Sequence, residues 1–155
     1  MRLVCSLAVF IFLFIALPAN GQTVFNSLKW YNRVIVLHAP QDEELAFEAQ
    51  VALFQDVVPE LEERDLLVLH LRSQVLEKVP DLSPFPFDTK ILENRQERRY
   101  LEGLFVSEVD EMKLTLIGLD GEVKESWEGV TDPAVIFEAI DAMPMRQREL
   151  EAADQ

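Results

Sequence analysis

"RVIVLHAPQDEELAFEAQVALFQDVVPELEERDLLVLHLR", residues Arg33 to Arg72, decides the fold. Arg33 to Ala39 is a short β-branched apolar run, the pattern of a strand buried on both faces. Pro40 breaks it. Phe47, Val51, Phe54, Val58 and Leu61 then recur at alternating spacings of four and three, which is one face of a helix. Asp42 stands where an N-cap is needed, and the acidic residues behind it suit the positive end of the helix dipole. Pro59 lies inside the pattern and should kink the helix or restart it. Asp65 to Arg72, "DLLVLHLR", is a second buried strand. Strand, helix, strand at these lengths makes a βαβ unit with parallel strands and a right-handed crossover.

Downstream, "VLEKVPDLSPFPFD" (Val75 to Asp88) carries three of the chain's prolines and reads as a loop or an edge excursion. A helix is expected over about Thr89 to Leu104, with Ile91, Leu92, Tyr100, Leu101 and Leu104 as its apolar residues. "EMKLTLIGLDGEVKESWEG" reads as a hairpin of Met112 to Ile117 and Glu122 to Trp127, with Asp120-Gly121 at the turn. The last helix begins at Thr131 or Asp132 as N-cap, holds Pro133 in its first turn, buries Ile136, Phe137, Ile140 and Met143, and ends at Pro144. The order is β-α-β-α-β-β-α. It implies an α/β domain over residues 33–145, a central mixed sheet with helices on both faces. Residues 22–32 form a lead-in that docks Phe25, Leu28, Trp30 and Tyr31 on the core, and residues 146–155 form a charged tail expected to fray.

The N-terminus has the layout of a secretory signal: Arg2, the uncharged run Leu3 to Ala19, then small residues at Ala19 and Gly21. Residues 1–21 are assigned to it, with cleavage after Gly21 or, alternatively, after Ala19. An uncleaved anchor is the alternative, because the run is nearly long enough to span a bilayer. The protein is therefore expected to be periplasmic or secreted. The sole cysteine, Cys5, lies inside the signal, so the mature chain has no disulfide and no thiolate. Thiol–disulfide exchange and thiol peroxidase chemistry are excluded for it, because both need an attacking thiolate. The 14 basic and 28 acidic residues give a net charge of −14. Such a surface repels nucleic acid and anionic lipid. No later run is apolar enough to span a membrane.

The element order resembles the thioredoxin-like arrangement, as does "VVPELEERDLLVLHL", in which a proline kinks the first helix shortly before the next strand. "LHAPQDEE", "ERDLLVLHL", "KLTLIGLDGEVK" and above all "IDAMPMRQRE" resemble the exported bacterial domain-of-unknown-function family 4174, over roughly Tyr31 to Glu149. A related domain occurs in vertebrate secreted matrix proteins of the sushi-repeat and coiled-coil-containing group. The resemblance implies a thioredoxin-like fold outside the cytoplasm and brings no established activity. Two features depart from working thioredoxins. Ala39, Pro40, Gln41 and Asp42 stand where the redox pair should be, and "VSEVDEMK" lacks the proline expected before the third strand.

Three sets of residues are candidates for a site. His38 and His70 each close an apolar run and, with Asp42, would make a metal-binding or acid–base set if both imidazoles reach one sheet edge; the alternative is hydrogen bonding to backbone or solvent. Arg95, Arg98 and Arg99 fall within about one helical turn and suit an anion or a partner, or else pair with Glu93, Glu97 and Glu102. Phe85 and Phe87 are partner anchors or fold back on the core. No nucleophile elbow, P-loop, dinucleotide fingerprint or zinc signature occurs, so no catalytic residue is assigned, no cofactor is expected and metal binding stays open. The expected role is a non-catalytic module that binds an unidentified protein of the cell envelope or stabilises an envelope assembly; the alternative is an enzyme or sensor built on His38 and His70.

Overall fold

The computed structural model describes residues 25–93, 95–108 and 110–153. The expected signal over residues 1–21, its expected cleavage point and Cys5 lie outside them. The described elements are β1 (Arg33–His38), α1 (Glu44–Gln55), α2 (Val58–Glu63), β2 (Leu66–Arg72), β3 (Val75–Lys78), β4 (Lys90–Ile91), α3 (Arg95–Phe105), β5 (Lys113–Ile117), β6 (Val123–Glu128), α4 (Pro133–Asp141) and α5 (Pro144–Ala153). The strands make one mixed six-stranded sheet in the order β4-β3-β2-β1-β5-β6. β1 pairs with β2 in parallel and with β5 antiparallel, and the β5–β6 hairpin completes that side. This is the α/β class expected, with β1 central and buried along nearly its whole length.

Alternate residues of the central strands feed two apolar layers. Ile35, Leu37, Leu66 and Val68 face one way and pack with Phe54 of α1, Leu61 of α2, and Ile136 and Ile140 of α4. Val34, Val36, Leu67, Leu69 and Leu71 face the other way and pack with Leu101 and Phe105 of α3 and with Phe25 and Leu28 of the lead-in. Phe25 meets Phe105 edge to face at 5.9 Å between ring centres.

Several local expectations hold in detail. Pro59 falls at the start of α2, where a missing N–H costs nothing, so the chain restarts a helix there. Asp132 caps α4, its Oδ1 accepting from the Ala134 N–H at 2.9 Å. Gly121 takes the positive φ (76°) that the hairpin turn demands.

Other expectations need correction. Asp42 does not cap α1. The N-cap is Glu43, whose side chain makes no capping bond; the Glu43 N–H closes a turn onto the Pro40 carbonyl, so the helix starts one residue later than Asp42 would set it. The proline-rich excursion opens with β3, which pairs with β2 and extends the sheet. The segment Lys90–Ile91, expected as helix, is the strand β4 against β3, and α3 begins only at Arg95. In the lead-in, Phe25 and Leu28 are buried, whereas Trp30 and Tyr31 are exposed.

The largest correction concerns the C-terminus. Most of the expected frayed tail is the helix α5, which opens on Pro144 and runs to Ala153. Ion pairs at the amino end of the sheet hold it. Buried Arg146 donates to Glu63 Oε1 at 2.6 Å, to Asp141 Oδ1 at 3.2 Å, to Glu149 Oε2 at 3.4 Å and to the Glu63 carbonyl at 3.2 Å. Fully buried Arg33, at the start of β1, reaches Glu149 at 2.8 Å. Arg64 closes on Asp141 at 2.6 Å while its guanidinium lies 4.5 Å above the Phe137 ring. Asp141, Arg146 and Glu149 of "IDAMPMRQRE" thus make a structural lock between α5, α4, α2 and β1.

Candidate functional site at the carboxyl edge of the sheet

In an α/β sheet the carboxyl ends of parallel strands form a natural crevice, because the chain must turn away there into the next element. β1 and β2 end side by side at this edge. Ala39, Pro40 and Gln41 carry the chain from β1 towards α1, and Arg72 and Ser73 carry it from β2 towards β3. Between them lies a cleft of about 360 Å³, lined also by Glu44, Phe47 and His70. Its charged groups are of opposite sign, Glu44 on α1 and Arg72 at the end of β2.

His70 is 6% exposed and stacks on Phe47, with ring centres 4.1 Å apart and an angle of 25° between planes. Burial pushes its pKa down to about 4, and the charges of Arg72 and His38 push in the same direction. At neutral pH the ring is therefore an uncharged aromatic wall. A base whose pKa falls on folding binds fewer protons folded than unfolded between the two values. Stability should therefore drop as pH falls from 6.5 to about 4 and stop changing below that for this group. Discounted for the solvent reaching the ring, the loss is on the order of 2 kcal/mol. Urea denaturation across this range should show that slope, and His70→Phe should remove most of it.

His38 does not join His70. The parallel register pairs His70 with Leu37, so the side chain of His38 points to the opposite face of the sheet. It lines a separate cleft of about 410 Å³ beside α3, with Glu102, Gly103 and Ser107. Burial lowers its pKa, Glu102 partly opposes this, and Lys113 adds to it. Its Nδ1 is buried without a hydrogen-bond partner among the described residues. Asp42 is exposed on the turn before α1. The shared set of His38, His70 and Asp42 therefore does not form, and no group of three or more His, Cys, Asp or Glu side chains suited to a metal ion occurs among the described residues. A one-residue offset in strand pairing is enough to part the imidazoles.

Neither of the other candidate sets lines the carboxyl-edge cleft. Arg95, Arg98 and Arg99 occupy the first turns of α3, with Arg95 and Arg99 exposed and Arg98 half-buried. Phe85 and Phe87 are half-buried against the layer beneath α3. Lys78 Nζ holds their loop by donating to the Ser83 and Phe85 carbonyls at 3.1 and 3.3 Å. The cleft residues Phe47, Arg72 and Ser73 were not singled out by sequence. The signal that points to them is their position just beyond or beside a buried strand end, which identifies an edge but not which side chains converge on it.

No helix among the described residues is long and apolar enough to cross a membrane. Residues 24–149 match the family described as a domain of unknown function, DUF4174. A curated relative is coiled-coil domain-containing protein 80 of Danio rerio, 26% identical over 141 residues. That match covers 86% of this chain and 16% of the relative, so the chain spans only a small part of that protein. No solved structure matches.

Proposed function

Because the chain belongs to the DUF4174 family, matched over residues 24–149, we propose that it is an exported, non-catalytic module of thioredoxin-like arrangement that binds another protein of the cell envelope. The observation that carries this reading is the open cleft at the β1–α1 junction, lined by Ala39, Pro40 and Gln41. This edge offers opposite charges at Glu44 and Arg72 and a neutral aromatic wall at His70 and Phe47, groups suited to a partner polypeptide. The strand order β2-β1-β5-β6, parallel in its first pair and antiparallel beyond, supports the arrangement. The uncharged run Leu3 to Ala19 followed by Gly21 supports export to the periplasm or the medium.

Fractionation with N-terminal sequencing tests export. A soluble envelope protein beginning at Gln22 is expected; a membrane-bound chain still carrying Leu3 to Ala19 would mean an anchor instead. Affinity capture from the envelope tests binding, with Gln41→Trp and Arg72→Glu as variants that fill the cleft or reverse its charge. Gln41 and Arg72 are exposed, so both variants should melt within a few degrees of the parent and lose the partner. Equal recovery of the same partner by parent and variants would refute the cleft as the binding site.

A further inference from the structure

A helix on the surface of an α/β domain normally turns one apolar stripe to the sheet and a polar face to water. α1 does not. Phe54 and its neighbours bury the inner stripe, yet the outer face carries Leu45, Ala49, Ala52 and Leu53, all exposed and lined up along one side of the helix. Leu45 is 81% exposed and Leu53 36%. This stripe leads into a shallow groove of about 320 Å³ where Leu53 and Val57 face Pro133, Ala134 and Phe137 of α4. Val135, one residue further on, is 46% exposed. The result is an apolar track along the exposed side of α1 that runs from Leu45, next to the carboxyl-edge cleft, to the groove at the start of α4.

The rim of the groove is acidic. Asp56, Glu60 and Asp132 border it, and no basic side chain lines it. Arg64 stacks over Phe137 but is paired with Asp141. Neither Asp56 nor Glu60 forms an ion pair among the described residues. A second copy of this chain would bring the same acidic rim and a net charge of −14 against its like, which disfavours self-association through this face. An apolar groove with an unpaired acidic border complements an apolar stripe flanked by Lys or Arg. We propose that the α1–α4 groove is a docking surface for a basic amphipathic helix of a partner protein, separate from the cleft at the carboxyl edge. The helix would lay its apolar positions along Leu45, Leu53 and Val57 and set its cations against Asp56, Glu60 and Asp132.

The test uses the mature protein and a synthetic amphipathic peptide of Leu and Lys, with a Leu/Glu peptide of the same pattern as control. Binding of the Lys peptide should shift the amide resonances of Leu53, Val57 and Ala134 while leaving those of Gln41, Arg72 and Ser73 in place. Leu53→Glu, and separately Asp56→Lys with Glu60→Lys, should each weaken it by at least about tenfold, and added salt should weaken it further. These substitutions are at exposed positions, and the melting temperature checks that the fold is kept. Shifts confined to the carboxyl-edge cleft, equal binding of the Glu peptide, or affinity unchanged by the variants would overturn the proposal. So would sedimentation showing a dimer that Leu53→Glu dissociates, since the occupant would then be a second copy. The outcome is independent of the cleft, because the Gln41→Trp variant should bind the Lys peptide as the parent does.

Discussion

Replacing Arg146 with methionine should lower unfolding stability by about 3 kcal/mol, at the lower end of what breaking a buried ion pair costs. The guanidinium is 7% exposed and serves Glu63, Asp141 and Glu149 together with the Glu63 carbonyl. Methionine fills much of the volume but leaves that carbonyl and those carboxylates short of a donor. The loss is limited because Asp141 retains Arg64 and Glu149 retains Arg33. The effect should also be local in origin. α5 joins the domain mainly through these pairs, so its amides should exchange with solvent much faster in the variant than those of β1 or β2. A urea midpoint unchanged from the parent would show that the network contributes no net stability.

The same lock sets an acid limit. Burial by itself would raise the Asp141 carboxyl, but hydrogen bonds from Arg64 and Arg146 outweigh it and hold its pKa below the usual carboxylate range. A carboxyl lowered on folding contributes stability above its unfolded pKa, and that stability disappears as pH falls through the folded value. Arg146→Met should weaken this part of the acid titration. It should leave the slope assigned to His70, which belongs to the opposite edge of the sheet, unchanged.

Gln50→Leu should cost about 2–4 kcal/mol, the sum for two stranded backbone groups. Gln50 is fully buried on α1. Its Oε1 accepts from the Thr131 N–H at 2.7 Å and its Nε2 donates to the Thr131 carbonyl at 3.0 Å, as a neighbouring strand would. The pair fastens α1 to the residue that precedes the Asp132 cap of α4. Leucine matches the size and strands both Thr131 groups away from water. Gln50→Glu separates hydrogen bonding from packing. Its carboxylate would still accept from the Thr131 N–H but would face the carbonyl with a negative charge. Protonation restores a donor, so the deficit of this variant should shrink as pH falls, whereas that of Gln50→Leu should not. Equal pH dependence in the two variants would rule out the bidentate contact as the cause.

Much of the framework was legible locally. Apolar runs separated by a helical spacing are enough for β1, α1 and β2, Asp120-Gly121 is enough for the hairpin, and Thr131-Asp132-Pro133 is enough for the start of α4. The candidate site was legible only as a location. That β1 runs into a turn at Ala39 says where a crevice opens. It does not say that Phe47 will stack on His70 or that Arg72 and Glu44 will line the same cleft. The reading of β4 as helix failed because the pairing partner of a two-residue strand lies elsewhere in the chain. The reading of the tail as frayed failed because charged residues were treated as solvated, without the partners that bury them.

The sequence by itself determined β1, α1, β2, the β5–β6 hairpin and the start of α4, the α/β class and the absence of any cysteine after Cys5, since each depends on residue type and short-range spacing. Only the tertiary structure decided which residues meet. The register that pairs Leu37 with His70 separates the two imidazoles across the sheet. The contact between Arg33 and Glu149 spans 116 positions of chain and turns a charged terminus into a docked helix. Strand register and long-range ion pairs depend on how distant segments pack together, and that information is not carried by the periodicity of any one segment.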